Sequence, residues 1–102
     1  MSAQPPDWLI ESTSEFEDAY DALAELGGRL EEFQQSWALF LGRNPVFWTR
    51  GLADDDDDQC RVITYGDERL QLEYIIGLSL DRVNRTVLLR WIDRCPLMDP
   101  GW

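Results

Sequence analysis

The sequence predicts an α+β domain in which a helical hairpin covers one face of a small, mostly antiparallel sheet, with elements in the order β-α-α-β-β-β. Three observations predict it. Apolar residues recur at helical spacing through two consecutive stretches from residue 16 to residue 41. The period changes to two after residue 59. Glycine, proline and acidic clusters mark the joins.

Taken in order, Trp8-Leu9-Ile10 is a short apolar run between Asp7 and Glu11 and reads as a brief strand. Two overlapping Ser-x-x-Glu patterns follow, Ser12 with Glu15 and Ser14 with Glu17, in which a hydroxyl and a carboxylate satisfy the free amides of a helix start. Phe16, Ala19, Tyr20, Leu23 and Leu26 then form one apolar face, with Glu17, Asp18, Asp21 and Glu25 turned to water, and Gly27-Gly28 ends the helix. A second helix is expected from about Arg29 to Leu41, with Leu30, Phe33, Trp37, Phe40 and Leu41 on one side and Gly42 as its stop. Asn44-Pro45 breaks the pattern, and Val46-Phe47-Trp48 is too short to define a strand.

Asp54 to Asp58 is a run of mutually repelling carboxylates and reads as a solvated loop. Cys60 to Tyr65 alternates, Gly66-Asp67-Glu68 reads as a turn, and Arg69 to Leu80 alternates again, making a hairpin. Asp81 to Arg85 is a second turn. Thr86 to Ile92 is rich enough in β-branched and aromatic residues to be a third strand with both faces partly covered. From Cys95 the chain has no regular pattern. Residues 1–102 thus make a single domain with a core over about 8–94 and an irregular tail over 95–102.

Composition narrows the chemistry. Twenty Asp and Glu stand against nine positive residues, all Arg, giving a net charge of −11. Direct binding of nucleic acid is disfavoured, since it depends on Lys and Arg displacing counterions. With no His there is no imidazole base, no Ser-His-Asp or Cys-His arrangement and no His-containing zinc site. No metal or other cofactor is expected: the Asp run lacks the alternating ligands, Gly and final Glu of an EF-hand loop. Absence of a signal-peptide pattern and of any apolar stretch near membrane-spanning length predicts a cytoplasmic protein without a membrane partner, with Cys60 and Cys95 as free thiols. Nine Arg without Lys also fits a GC-rich genome or a salt-adapted proteome, in which acidity belongs to the host.

From about Trp8 to Arg94 the chain resembles the RelE/ParE toxin superfamily of bacterial toxin–antitoxin systems. The likeness lies in the strand leading into Ser-x-x-Glu-Phe ("WLIESTSEFEDAYDAL"), the second helix ending near Asn44-Pro45, and the segments "CRVITY", "LQLEYIIGLSLD" and "NRTVLLRWIDR". The resemblance implies a sheet covered by a helical hairpin, and an antitoxin whose extended segment or helix covers the sheet edge and the helices. It also implies that Cys60 and Cys95 lie on strands separated by a third, beyond disulfide reach. Ribosome-dependent members cleave messenger RNA with basic groups that are largely missing here. Gln71 stands where the family has an Arg three positions before its Tyr, here Tyr74, and the second helix carries Glu31 and Glu32. The weak catalytic candidates are Arg61, Arg90, Arg94 and Tyr74; each Arg is as well suited to a carboxylate as to a phosphate.

The expected function is therefore that of a toxin-fold protein acting mainly by binding another protein, as ParE-like members are thought to bind gyrase. The alternative is a small acidic inhibitor that presents carboxylates where phosphates would sit, and the third reading is a ribosome-dependent mRNA endonuclease in a salt-adapted host. Candidate partner-binding residues are Trp48, Trp8 and Trp102, together with Asp54, Asp55, Asp56, Asp57 and Asp58. Trp37 and Trp91 lie on apolar faces and are expected in the core. A partner of positive charge would be drawn by electrostatic steering.

Overall fold

The computed structural model describes residues 8–54 and 57–96. Its elements are β1 (Leu9–Ser12), α1 (Ser14–Ala24), α2 (Leu30–Arg43), α3 (Pro45–Trp48), β2 (Arg50–Gly51), β3 (Arg61–Asp67), β4 (Leu72–Asp81) and β5 (Thr86–Pro96). The strands form one open sheet in the order β1-β5-β4-β3-β2, antiparallel except where β1 runs parallel to β5. The α+β class is as expected, with α3 and the two-residue β2 added.

The chain leaves the sheet through Thr13. Its N–H donates to the Leu89 carbonyl over 3.0 Å, its hydroxyl donates to the Arg90 carbonyl over 3.0 Å, and the same oxygen accepts from the Phe16 N–H over 3.1 Å. Thr13 is thus the N-cap of α1 in place of the expected serines: Ser12 closes β1 and Ser14 is already helical. Helix α1 also stops at Ala24, short of the exposed Leu26, before Gly27 takes a φ of +78°. Helix α2 continues through the buried Gly42, the expected stop, to Arg43. The Gly42 carbonyl accepts the Trp8 N–H over 2.7 Å, tying the end of α2 to the start of β1.

The core lies between the helices and one face of the sheet. Phe16, Leu30, Trp37 and Leu41 meet Tyr74, Ile76, Leu78 and Leu80 of β4 and Val87, Leu89 and Ile92 of β5. In the β4–β5 ladder Gly77 pairs with Trp91 and Leu78 with Leu89, leaving Arg90 as an extra residue. This bulge shifts the parity of β5, so that Leu89 and Ile92 face the same core although three positions apart. Trp91 is carried to the opposite face, where it is 42% exposed, correcting the expectation of a core role. Its indole lies across Gly77, where a Cβ would collide with it.

The β3–β4 turn falls later than expected. Asp67, read as a turn residue, ends β3 and is completely buried. One carboxylate oxygen accepts from the Arg29 N–H at 2.7 Å and the Tyr74 hydroxyl at 3.0 Å, and the other from the Arg69 and Leu70 N–H groups at 3.0 and 3.3 Å. Burial alone raises a carboxyl pKa, but these hydrogen bonds outweigh it and hold Asp67 below the usual range. Strand β5 extends to Pro96, so Cys95 belongs to the sheet and not to the tail. Cys60 and Cys95 are free thiols, with β4 between their two segments. No helix among the described residues is long and apolar enough to cross a membrane.

Candidate functional site

The most distinctive surface is built at the α2–β2 connection. Asn44 precedes a proline, which keeps it out of helical geometry, and its side chain accepts the Phe47 N–H over 3.3 Å. Pro45 at the first helical position lacks the N–H that would otherwise be orphaned there. The result is α3, a single turn that buries Pro45 and thrusts Phe47 and Trp48 outwards, 70% and 44% exposed. Trp48 stacks on Phe40 of α2 with ring centroids 4.5 Å apart, and Phe47 meets Trp48 edge-on at 5.0 Å.

A buried cation fixes this turn. Arg61 is 2% exposed, and its Nε donates to the Thr49 hydroxyl at 2.7 Å while Nη2 donates to the carbonyls of Thr49 at 2.9 Å and Val46 at 3.1 Å. Nη1 pairs with Asp58 at 3.4 Å, and Asp58 also takes Arg82 in a two-pronged pair at 2.6 and 3.1 Å. The Arg82 hydrogen bond holds the Asp58 carboxyl below its ordinary range. Thr49 in turn bonds the Pro45 carbonyl through its hydroxyl at 2.6 Å. The end of α3 and the Asp58 segment are thereby fastened to the start of β3.

Between these rings and the sheet lies a groove of about 390 Å³, walled by Phe40, Phe47 and Trp48 and by Arg50, Ile63 and Tyr65. It runs along a free sheet edge: β2 pairs only with Arg61 and Val62, and from Ile63 to Asp67 no strand flanks β3 opposite β4 among the described residues. Tyr65 stacks on Phe33 at 5.1 Å, and its buried hydroxyl has no hydrogen-bond partner among the described residues. Burial pushes that phenol up to about 12.

The residues expected to carry function are scattered. Trp48 is in the exposed cluster, whereas Trp8 is half-buried against the core and Trp102 lies outside the described residues. Of the Asp run, Asp55 and Asp56 lie outside the described residues. The Asp54 carbonyl accepts the Asp57 N–H at 3.1 Å, and the Asp57 side chain accepts the Gln59 N–H at 3.0 Å. Asp58 is not the freely solvated carboxylate expected, because Arg61 and Arg82 hold it.

Among the weak catalytic candidates, Arg61 is committed to the network described above. Tyr74 is buried, its hydroxyl pushed up to about 12 by burial and by the Asp67 acceptor. A phenol held so stays protonated near neutrality and donates a hydrogen bond to Asp67. Arg94 stands opposite Tyr74 in the ladder and Arg90 sits in the bulge; both are exposed and neither joins an ion pair among the described residues. The four do not converge on one cleft. Nor do the described residues hold a group of three or more His, Cys, Asp or Glu able to bind a metal.

Sequence reasoning missed Phe47 and Phe40 as companions of Trp48. The readable signal was Asn44-Pro45, a cap followed by a first-turn proline, which marks a helix start as well as a break. No family model, curated protein or solved structure matches this chain.

Proposed function

We propose that this chain is a RelE/ParE-type toxin-fold protein that acts by gripping another protein, with a cognate antitoxin segment as the partner that masks it. The order of a first strand, the two longer helices α1 and α2 with the single-turn α3, and then a run of antiparallel strands supports the reading. The observation that carries it is the Phe40–Phe47–Trp48 cluster beside the open edge of β3. Exposed rings flanking unpaired strand backbone suit an extended partner segment, whose main chain adds to the sheet while alternate side chains enter the groove. Phe and Trp supply large contact area at low cost in side-chain entropy.

Expression in a bacterial host tests this reading. Growth arrest with messenger RNA intact is expected, and the double variant Phe47→Ala/Trp48→Ala should abolish the arrest while keeping the wild-type circular dichroism spectrum. Absence of arrest, arrest accompanied by mRNA cleavage, or arrest indifferent to the double substitution would each overturn it.

A further inference from the structure

Helix α3 is a single turn, too short to hold its own shape, so partners outside it must fix both of its ends. At the first end Asn44 supplies the cap. The turn then closes through the Trp48 N–H, which donates to the Asn44 carbonyl at 3.3 Å, and the Thr49 N–H, which donates to the Pro45 carbonyl at 3.1 Å. At the second end the partner arrives from β3, twelve residues beyond Thr49. One guanidinium nitrogen of Arg61 takes the carbonyls of Val46 and Thr49, and Nε takes the Thr49 hydroxyl, which itself donates to the Pro45 carbonyl. Arginine commonly satisfies the last carbonyls of a helix from within that helix. Here a strand delivers the cap.

The two carbonyls that Arg61 holds belong to the residues just before and just after Phe47-Trp48, the pair that α3 displays to solvent. Arg61 itself is 2% exposed and cannot touch a molecule that docks on the surface. Its influence on such a molecule must pass through the two rings. The shape of its head matters for this. Nε and Nη2 face α3, while Nη1 faces the Asp58 carboxylate, which Arg82 holds from elsewhere. A lysine has one ammonium on a flexible stem and cannot span a hydroxyl, two carbonyls and a carboxylate at once. At this burial water does not replace the lost donors, so the carbonyls would be freed only by movement of the turn.

We propose that Arg61 is the positioning residue of the aromatic cluster: by gripping the backbone on both sides of Phe47-Trp48 it sets how the two rings meet Phe40 and whatever protein they bind. The inference rests on the binding role proposed above for that cluster. It also gives the acidic run a part in the site, because Asp58 is the post against which the guanidinium is braced. Arg61 thus serves the site as a clamp on its backbone and not as a cation offered to a phosphate.

Amide hydrogen exchange and ring–ring nuclear Overhauser contacts, measured on the whole chain, test this. In Arg61→Lys the amides of residues 48 and 49 should gain at least about tenfold more in exchange rate than those of Val87 and Leu89 in the sheet, and the Phe40–Trp48 ring contacts should weaken. Thr49→Val keeps the shape of its residue and removes the hydroxyl between Arg61 and Pro45. It should give the same local pattern at smaller amplitude, and it decides the matter if Arg61→Lys does not fold. In the growth assay Arg61→Lys should lose the arrest as Phe47→Ala/Trp48→Ala does. Equal acceleration of all amides, unchanged Phe40–Trp48 contacts, or arrest that survives Arg61→Lys would overturn the proposal. If the natural chain causes no arrest, the toxin reading falls by itself, and the exchange pattern and ring contacts still decide the role of Arg61.

Discussion

Tyr74 donates its buried hydroxyl to the buried carboxylate of Asp67 over 3.0 Å, and the same carboxylate receives three backbone N–H groups from the start of α2 and the β3–β4 turn. A helix start, a turn and the central sheet therefore depend on one side chain. Asp67→Ala should cost about 3 kcal/mol, because it strands several buried donors at once, while Tyr74→Phe should cost about 1 kcal/mol. Urea unfolding measures both. The double variant should cost less than the sum, since the two substitutions share one bond.

Acid should weaken the fold through the same group. Asp67 and Asp58 both have folded pKa values below their ordinary ones, so the unfolded chain takes up protons first as pH falls. Their contribution is fully present above about pH 4 and is lost as pH drops through the depressed values. Urea midpoints followed from neutrality to about pH 2 should fall more gently in Asp67→Asn than in the natural chain.

Base should weaken it too, with the opposite sign of titration. Tyr65 and Tyr74 are both raised to about 12, so the unfolded chain ionises first. Stability should decline as pH rises from about 10, the free-phenol value, through the folded values. Phenolate absorbance followed together with circular dichroism should show Tyr65 and Tyr74 ionising no earlier than the helices melt.

Tyr65→Phe should leave stability unchanged or raise it by up to about 1 kcal/mol, because it removes a buried hydroxyl that no described residue satisfies. The Phe33 stack is kept. A thermal midpoint lowered by several degrees would contradict this.

Two glycines should respond differently to alanine. A Cβ at Gly28 would strike the Asp67 carboxylate and Leu70, and Asp67 is held by four hydrogen bonds and cannot give way. Gly28→Ala should therefore cost about 2 kcal/mol. At Gly77 the colliding group is the exposed end of Trp91, which can lift off the sheet. Gly77→Ala should cost less than about 1 kcal/mol and shift tryptophan fluorescence to the red.

What could be read from the sequence was whatever repeats along it. The apolar face of α2 follows from spacing alone: Leu30, Trp37 and Leu41 are buried and Phe33 packs against the core, as expected. The α+β class follows from the change of period. What escaped depends on single contacts between distant residues. Asp67 looks like any turn aspartate until Arg29 and Tyr74 are brought to it. Trp91 looks like a core residue until the extra Arg90 reverses its side of the strand. Trp48 was legible as an exposed aromatic only because it sits after a Pro break; its companions Phe40 and Phe47 are joined to it by a helical turn too short to show a period.

The position of β5 also constrains how the molecule is made. It lies between β1 and β4, and Ile10 finds its strand partner only in Val87. During synthesis β1 must wait, unpaired, until β5 has emerged from the ribosome. Assembly is therefore completed after translation has passed the hairpin, and a chain broken off before Thr86 would expose two strand margins that the finished protein conceals.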